Sequence, residues 1–184
     1  MPWAFLPAIF IMVAIFVLSA QPAEESSVLS EYAGYKIFTV ANDVLGLGWT
    51  QNMIGQMTIE MENFLRKAAH FTEYLLLAVA LRHGFVRLLR ERSAGGPDNG
   101  QAENAKSVPP EREMLLSCGA ALLIAVLYAA SDEFHQSFVP GRSCMLGDVG
   151  IDSLGALAGI LLCLLAGLLR YWTGKIRNRT QEGA

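Results

Sequence analysis

Four long apolar blocks alternate with polar stretches along the chain, and the polar residues that invade them crowd toward one end of each. WAFLPAIFIMVAIFVLSA runs from about Trp3 to Ala20, and a second block covers about 68–86. MLLSCGAALLIAVLYAAS covers about Met114 to Ser131, and VGIDSLGALAGILLCLLAGLL about Val149 to Leu169. Each approaches the ~20 residues that a helix rising 1.5 Å per residue needs to cross a ~30 Å hydrocarbon core. The runs are continuous, whereas barrel strands alternate, and an isolated strand would leave its backbone unpaired in lipid. The expected fold class is an all-α membrane protein: a four-transmembrane-helix bundle forming a single domain over residues 1–184.

The stretches between the blocks differ in kind. In the first, Val28, Leu29, Tyr32, Tyr35, Val40, Val44 and Leu45 fall among charges and GQMTIEMENFLRK follows, which predicts one or two outer-loop interfacial helices. Between the second and third blocks, SAGGPDNGQAENAKSVPP has too little apolar surface to order itself. It reads as a flexible cytoplasmic linker over about 93–110. The first block lacks the preceding Lys or Arg of a signal peptide, and Leu18 stands where a cleavage site wants a small residue, so a retained span is expected.

Lys and Arg set the orientation. Arg82, Arg87, Arg90, Arg92, Lys106 and Arg112 lie between the second and third blocks, and Arg170, Lys175, Arg177 and Arg179 follow the fourth. Residues 21–61 hold only Lys36 against Glu24, Glu25, Glu31, Asp43 and Glu60, and the third-to-fourth connection only Arg142. The expected location is a cytoplasmic (inner) membrane, multi-pass, with both termini cytoplasmic.

Composition removes other classes. Apolar residues make up 53% of the chain, above the ~45–50% of an average soluble domain. A net charge of -3 leaves no footprint for a nucleic-acid partner. Cys118 and Cys163 lie inside apolar blocks and read as small hydrophobes. Cys144 lies in a loop, and no C-x-x-C suggests zinc or redox work.

That topology brings the polar ends to one depth on the outer side. Lys67, His70 and Glu73 recur every third residue and share a helical stripe. Tyr128, Asp132, His135 and Gln136, beside Glu133, close the third block. Arg142, Asp148 and Asp152 open the fourth, and Ser19 and Gln21 end the first. Ionisable groups at membrane depth cost roughly 2.5–3.5 kcal/mol each on insertion scales, so their convergence favours a site. Blander roles stay open: Lys67 and Arg142 as headgroup anchors, Asp148 as a helix N-cap, the pairs as interhelical glue. Gly155 and Gly159 continue the Asp152 face as a small-xxx-small pattern for close packing.

FLRKAAHFTEYLLLA, then SDEFHQSFVPGRSCMLGDVGIDSLGALAG, together with LSAQP at the end of the first block, resembles the VanZ-like family of bacterial integral membrane proteins. Lys67, His70, Phe71, Glu73 and Tyr74 match its K-x-x-H-F-x-E-Y motif. Asp132, Glu133, His135, Gln136, Phe138, Pro140 and Arg142 match D-E-x-H-Q-x-F-x-P-x-R, and Asp148, Gly155 and Gly159 match the third motif. One position departs, since the family usually carries Asn where this chain has Asp152. The resemblance implies a cell-envelope role and a link to antibiotic resistance, namely low-level resistance to the glycopeptide teicoplanin.

Three mechanisms follow from the residues. In an outer-face enzyme acting on a lipid headgroup or lipid-linked wall precursor, His70 or His135 is the general base, with Asp132 or Glu133 as orienting carboxylate or acid. Arg142 and Lys67 then hold a phosphate, and Gln21, Gln136, Asp148 and Asp152 complete the binding pocket. A divalent metal between His70, His135, Glu73 and Asp132 would be a variant, imidazole plus carboxylate suiting zinc or manganese. A non-enzymatic binder of an anionic headgroup or antibiotic needs the cations but no base. An ion or proton pathway is the third, although directly below the cluster the spans read Leu, Ala, Val and Ile.

Overall fold

A computed structural model describes residues 2–93 and 109–182, with residue 2 and residues 176–182 given by backbone alone. A 3-10 turn, Pro2–Phe5, leads into five helices: α1 Leu6–Ser19, α2 Ala23–Leu45, α3 Gln51–Ser93, α4 Pro110–Gln136 and α5 Leu146–Glu182. Among the described residues there is no strand. The expected linker falls mainly on residues 94–108, outside the described residues.

Local chemistry sets the boundaries. Prolines occupy the first turns of α1 and α4, where the missing N–H costs nothing and the fixed φ suits a helix. The chain turns at Pro22, so that α2 leaves α1 at 114°. Gly46 (φ 63) ends α2, its N–H donating to the Asn42 carbonyl. From Gln56 to His83 there is neither Gly nor Pro. The expected interfacial segment and second span therefore run on as one 43-residue helix, α3, about 65 Å long at 1.5 Å per residue.

This helix is the spine, and α1, α2, α4 and α5 all pack on it. A Cβ on Gly155 would strike the Phe71 carbonyl, and one on Gly159 the Leu75 carbonyl, so α5 lies directly on the α3 backbone and runs parallel to it. α4 opposes α3, with Arg90 against Glu113 and Tyr74 near Tyr128. α1 also opposes α3, Phe5 lying against Gly84 and Phe85. Along the chain α1, α3, α4 and α5 thus alternate in direction. Between the helices, Ile15, Tyr74, Leu77, Ala121, Ala125, Ala129, Ala156 and Ile160 form the core. The alanines, four apart on α4, permit the close approach.

Large apolar side chains cover the outside instead: Phe10, Val17, Leu115, Leu123, Leu127, Leu161 and Leu165 are exposed. In water this belt would be an aggregation surface; in lipid it is the solvent-matched face. By length and composition α4 and α5 can each cross a membrane, and the bent α1–α2 pair adds a third crossing if it counts as one span. The middle of α3 is not among these candidates, because His70, Glu73, Arg82 and His83 dilute its hydropathy. Two or three candidate spans thus stand where the sequence pattern predicts four.

Candidate functional site

The start of α2, the end of α4 and the start of α5 meet α3 at one level, and a cavity of about 450 Å³ opens between them. Of the residues singled out in the sequence, Lys67, His70, Glu133, Gln136, Arg142, Asp148 and Asp152 line it. Asn63, Arg66, Ser143 and Met145 also line it. None of these four stands out by an apolar setting. Asn63 and Arg66 lie on the same α3 stripe as Lys67 and His70, and the continuous helix is the signal that would have found them.

Two layers of interaction hold the cavity. The lower layer is a hydrogen-bond chain that joins α1 to α4. Ser19 Oγ donates to Asp132 Oδ1 at 2.6 Å, and Gln136 Nε2 donates to Asp132 Oδ2 at 3.0 Å. Arg142 Nη1 donates to Gln136 Oε1 at 3.0 Å, and its Nε donates to the Gln21 carbonyl at 3.0 Å. Gln21 thus contributes its backbone. Gly141 (φ 76) sits against Ala23, in a left-handed turn that only glycine adopts without strain. The Ala23 N–H completes the clasp on the Pro140 carbonyl at 3.2 Å. Arg142 lies outside the candidate spans. Burial and the nearby Arg66 press its guanidinium below its ordinary value, while Asp132 and Glu133 oppose the shift. A guanidinium remains charged through such a shift.

Asp132 is the hub of this chain and is 3% exposed. Asp132→Ala is expected to cost about 1–3 kcal/mol, because the buried Gln136 amide and Ser19 hydroxyl lose their acceptor. Asp132→Asn, which keeps one acceptor, should cost less. Thermal unfolding of the detergent-solubilised chain reads the difference, and equal curves for Ala and wild type would contradict it.

The upper layer carries the ionisable groups. Lys67 Nζ pairs with Asp148 Oδ1 at 2.9 Å. The Met145 N–H donates to Glu133 Oε2 at 2.9 Å, fixing that carboxylate at the cavity wall. His70 Nδ1 lies 3.9 Å from Glu73 Oε2 and 4.0 Å from Asp152 Oδ1, beyond hydrogen-bond reach of both. Both His70 Nδ1 and Asp152 Oδ2 are buried without a hydrogen-bond partner among the described residues. Buried polar atoms are rarely left so.

His135 is placed elsewhere. Its ring stacks on Phe16 at 4.6 Å, and it is not among the lining residues. Asp132, Glu73, Ser19 and Gln21 do not line the cavity either. Among the described residues no three His, Cys, Asp or Glu side chains are arranged to hold a metal ion. The set His70, His135, Glu73 and Asp132 is therefore not brought together as ligands.

Helices on a lipid-matched exterior, enclosing a charged cavity at one end of the bundle, define a helical membrane protein with a polar site. The VanZ/LLP1 family model matches residues 4–168, nearly the whole chain, and the chain belongs to that family. Comparison with curated proteins gives no match, and comparison with solved structures gives none.

Proposed function

We propose that this VanZ/LLP1-family protein is a membrane-embedded acid/base enzyme acting on a lipid headgroup or lipid-linked cell-wall precursor at the outer face of the bacterial cytoplasmic membrane. In this reading α1, α3, α4 and α5 make four crossings with both termini cytoplasmic, and α2 with the start of α3 lies along the outer interface. The observation that carries it is His70: a buried imidazole nitrogen, free of hydrogen bonds, between two carboxylates at 3.9 and 4.0 Å, on the wall of a charged cavity.

The chemistry follows from that geometry. An imidazole set between Glu73 and Asp152 is a base with a carboxyl group on either side to share its proton. Asp152, where the family usually has Asn, supplies the second of these carboxyl groups. His70 takes a proton from water or from a substrate hydroxyl. Lys67, already facing Asp148, presents the cation that meets a phosphate. Arg142 is largely occupied by the Gln21 and Gln136 oxygens and positions the wall.

Comparing envelope lipids and lipid-linked wall precursors by mass spectrometry, from cells lacking and carrying the protein, tests the reading. The expected result is a shift of one phosphate-bearing species whose mass difference names the reaction. Unchanged profiles would remove the enzymatic reading. Binding of an anionic headgroup or antibiotic without reaction is the second reading, favoured by one observation: a single histidine, not two, lines the cavity. The family link to teicoplanin resistance fits either, and drug sensitivity of the same cells measures it.

A further inference from the structure

The opposite end of the bundle holds a second cavity, of about 570 Å³, between α3, α4 and α5. Arg82, Arg87 and Arg90 line it from α3, and Arg170 from α5. Residues 82, 83, 86, 87 and 90 fall at helical spacing, so one stripe of α3 faces the cleft. Glu113 on α4 is the one carboxylate in the lining. It is taken by Arg90, with Nη2 at 2.9 Å and Nε at 3.0 Å. Arg82 spends its Nε on Cys118 Sγ at 3.2 Å, leaving the rest of its fork free for another acceptor. Among the described residues no carboxylate pairs with Arg82, Arg87 or Arg170.

A topological signal requires only that basic residues lie on one side of the membrane. It does not require guanidinium groups from two helices to line one cleft against a single, already paired carboxylate. Such an arrangement sets like charges side by side, and an anion seated there relieves their repulsion. The floor and rim say which anion. His83 is the remaining polar side chain of the wall, Val86, Cys163, Ala166 and Gly167 supply its apolar part, and Leu162 and Leu169 are exposed on the flank of α5. A phosphate seated among the arginines would therefore have its acyl chains laid against α5. Basic pockets between membrane helices on the cytoplasmic side bind lipid phosphates in this manner, and arginine forks match phosphate oxygens in geometry.

We propose that this cleft is a binding site for the phosphate headgroup of an anionic membrane phospholipid, separate from the cavity around His70. Arg82, Arg87 and Arg170 hold the phosphate, and Glu113 limits the affinity by occupying Arg90.

Native mass spectrometry of the full chain in detergent, titrated with phosphatidylglycerol, phosphatidylcholine or glycerol phosphate, tests it. Phosphatidylglycerol should be retained in preference to phosphatidylcholine, and Arg87→Gln and Arg170→Gln should each weaken its retention roughly tenfold. Glu113→Gln, which releases Arg90, should strengthen retention about fivefold, an effect that a misfolded variant cannot produce. Equal retention of the zwitterionic lipid, or retention unmoved by the arginine variants, overturns the proposal. So does weaker retention in Glu113→Gln. Glycerol phosphate displacing the lipid at matched concentration would mark a soluble phosphate ligand and overturn the lipid assignment.

Discussion

His70→Gln is expected to lower conversion of the affected lipid species by about 10²–10⁴-fold, the usual contribution of a positioned general base. Abundance in the membrane should stay unchanged. The second expectation follows from the geometry, because His70 Nδ1 makes no hydrogen bond that the substitution would break. Glutamine keeps polarity and much of the volume but cannot carry the proton. His135→Ala is the informative companion. Its ring stacks on Phe16 outside the cavity, so its removal should cost only the stacking, about 0.5–1.5 kcal/mol, and leave conversion intact. Loss of conversion in His135→Ala with retention in His70→Gln would invert the assignment. Full conversion in both would remove histidine base catalysis from the cavity, whereas no conversion even by the unaltered protein would leave binding without reaction as its role. In that last case the lipid should still be retained by the His70→Gln protein.

The contrast between the two histidines also shows what the sequence could carry. Lys67, His70 and Glu73 were legible as one stripe, because spacing of three or four fixes a shared face whatever the neighbours do. The same rule, pressed further, separates His135 from Glu133. Two residues at about 100° each leave those side chains roughly 160° apart around the axis. α4 stays helical through Gln136, so with Glu133 on the cavity wall His135 points nearly away from it. What spacing could not say is which of the two faces the cavity takes, since that depends on where α1 lies. Phe16 settles it by covering the His135 side. The length of α3 was hidden for a different reason. Charges made residues 56–67 look like a separate interfacial piece, yet polarity does not break a helix, and no Gly or Pro interrupts the chain there. The Asp132 hub was half legible: its i, i+4 bond to Gln136 follows from spacing, whereas its bond to Ser19 needs the packing of α1 on α4.

The largest loss of stability is expected from Gly155→Leu. Both Gly155 and Gly159 face carbonyl groups of α3, at Phe71 and Leu75, where an added Cβ would already collide with backbone. A flexible side chain could move aside, but a helix backbone can yield only by shifting the whole helix. Overpacking of this kind typically costs 1–3 kcal/mol, and occasionally more. Gly155→Leu should therefore lower both the thermal stability of the solubilised protein and its abundance in the membrane, with Gly155→Ala intermediate. Gly119→Ala is the control, since a Cβ on that mid-helix glycine of α4 meets nothing within 4 Å. It should be neutral or slightly stabilising, because alanine favours the helix. The same wedge has a consequence at the site. Gly155 lies one turn below Asp152 and two below Asp148, which face His70 and Lys67. Forcing α5 away from α3 must lengthen those two contacts together. Whatever Gly155→Ala protein reaches the membrane should thus lose conversion beyond its loss of abundance. Conversion falling only in proportion to abundance would mean that the two helices hold the site together less rigidly than this packing requires.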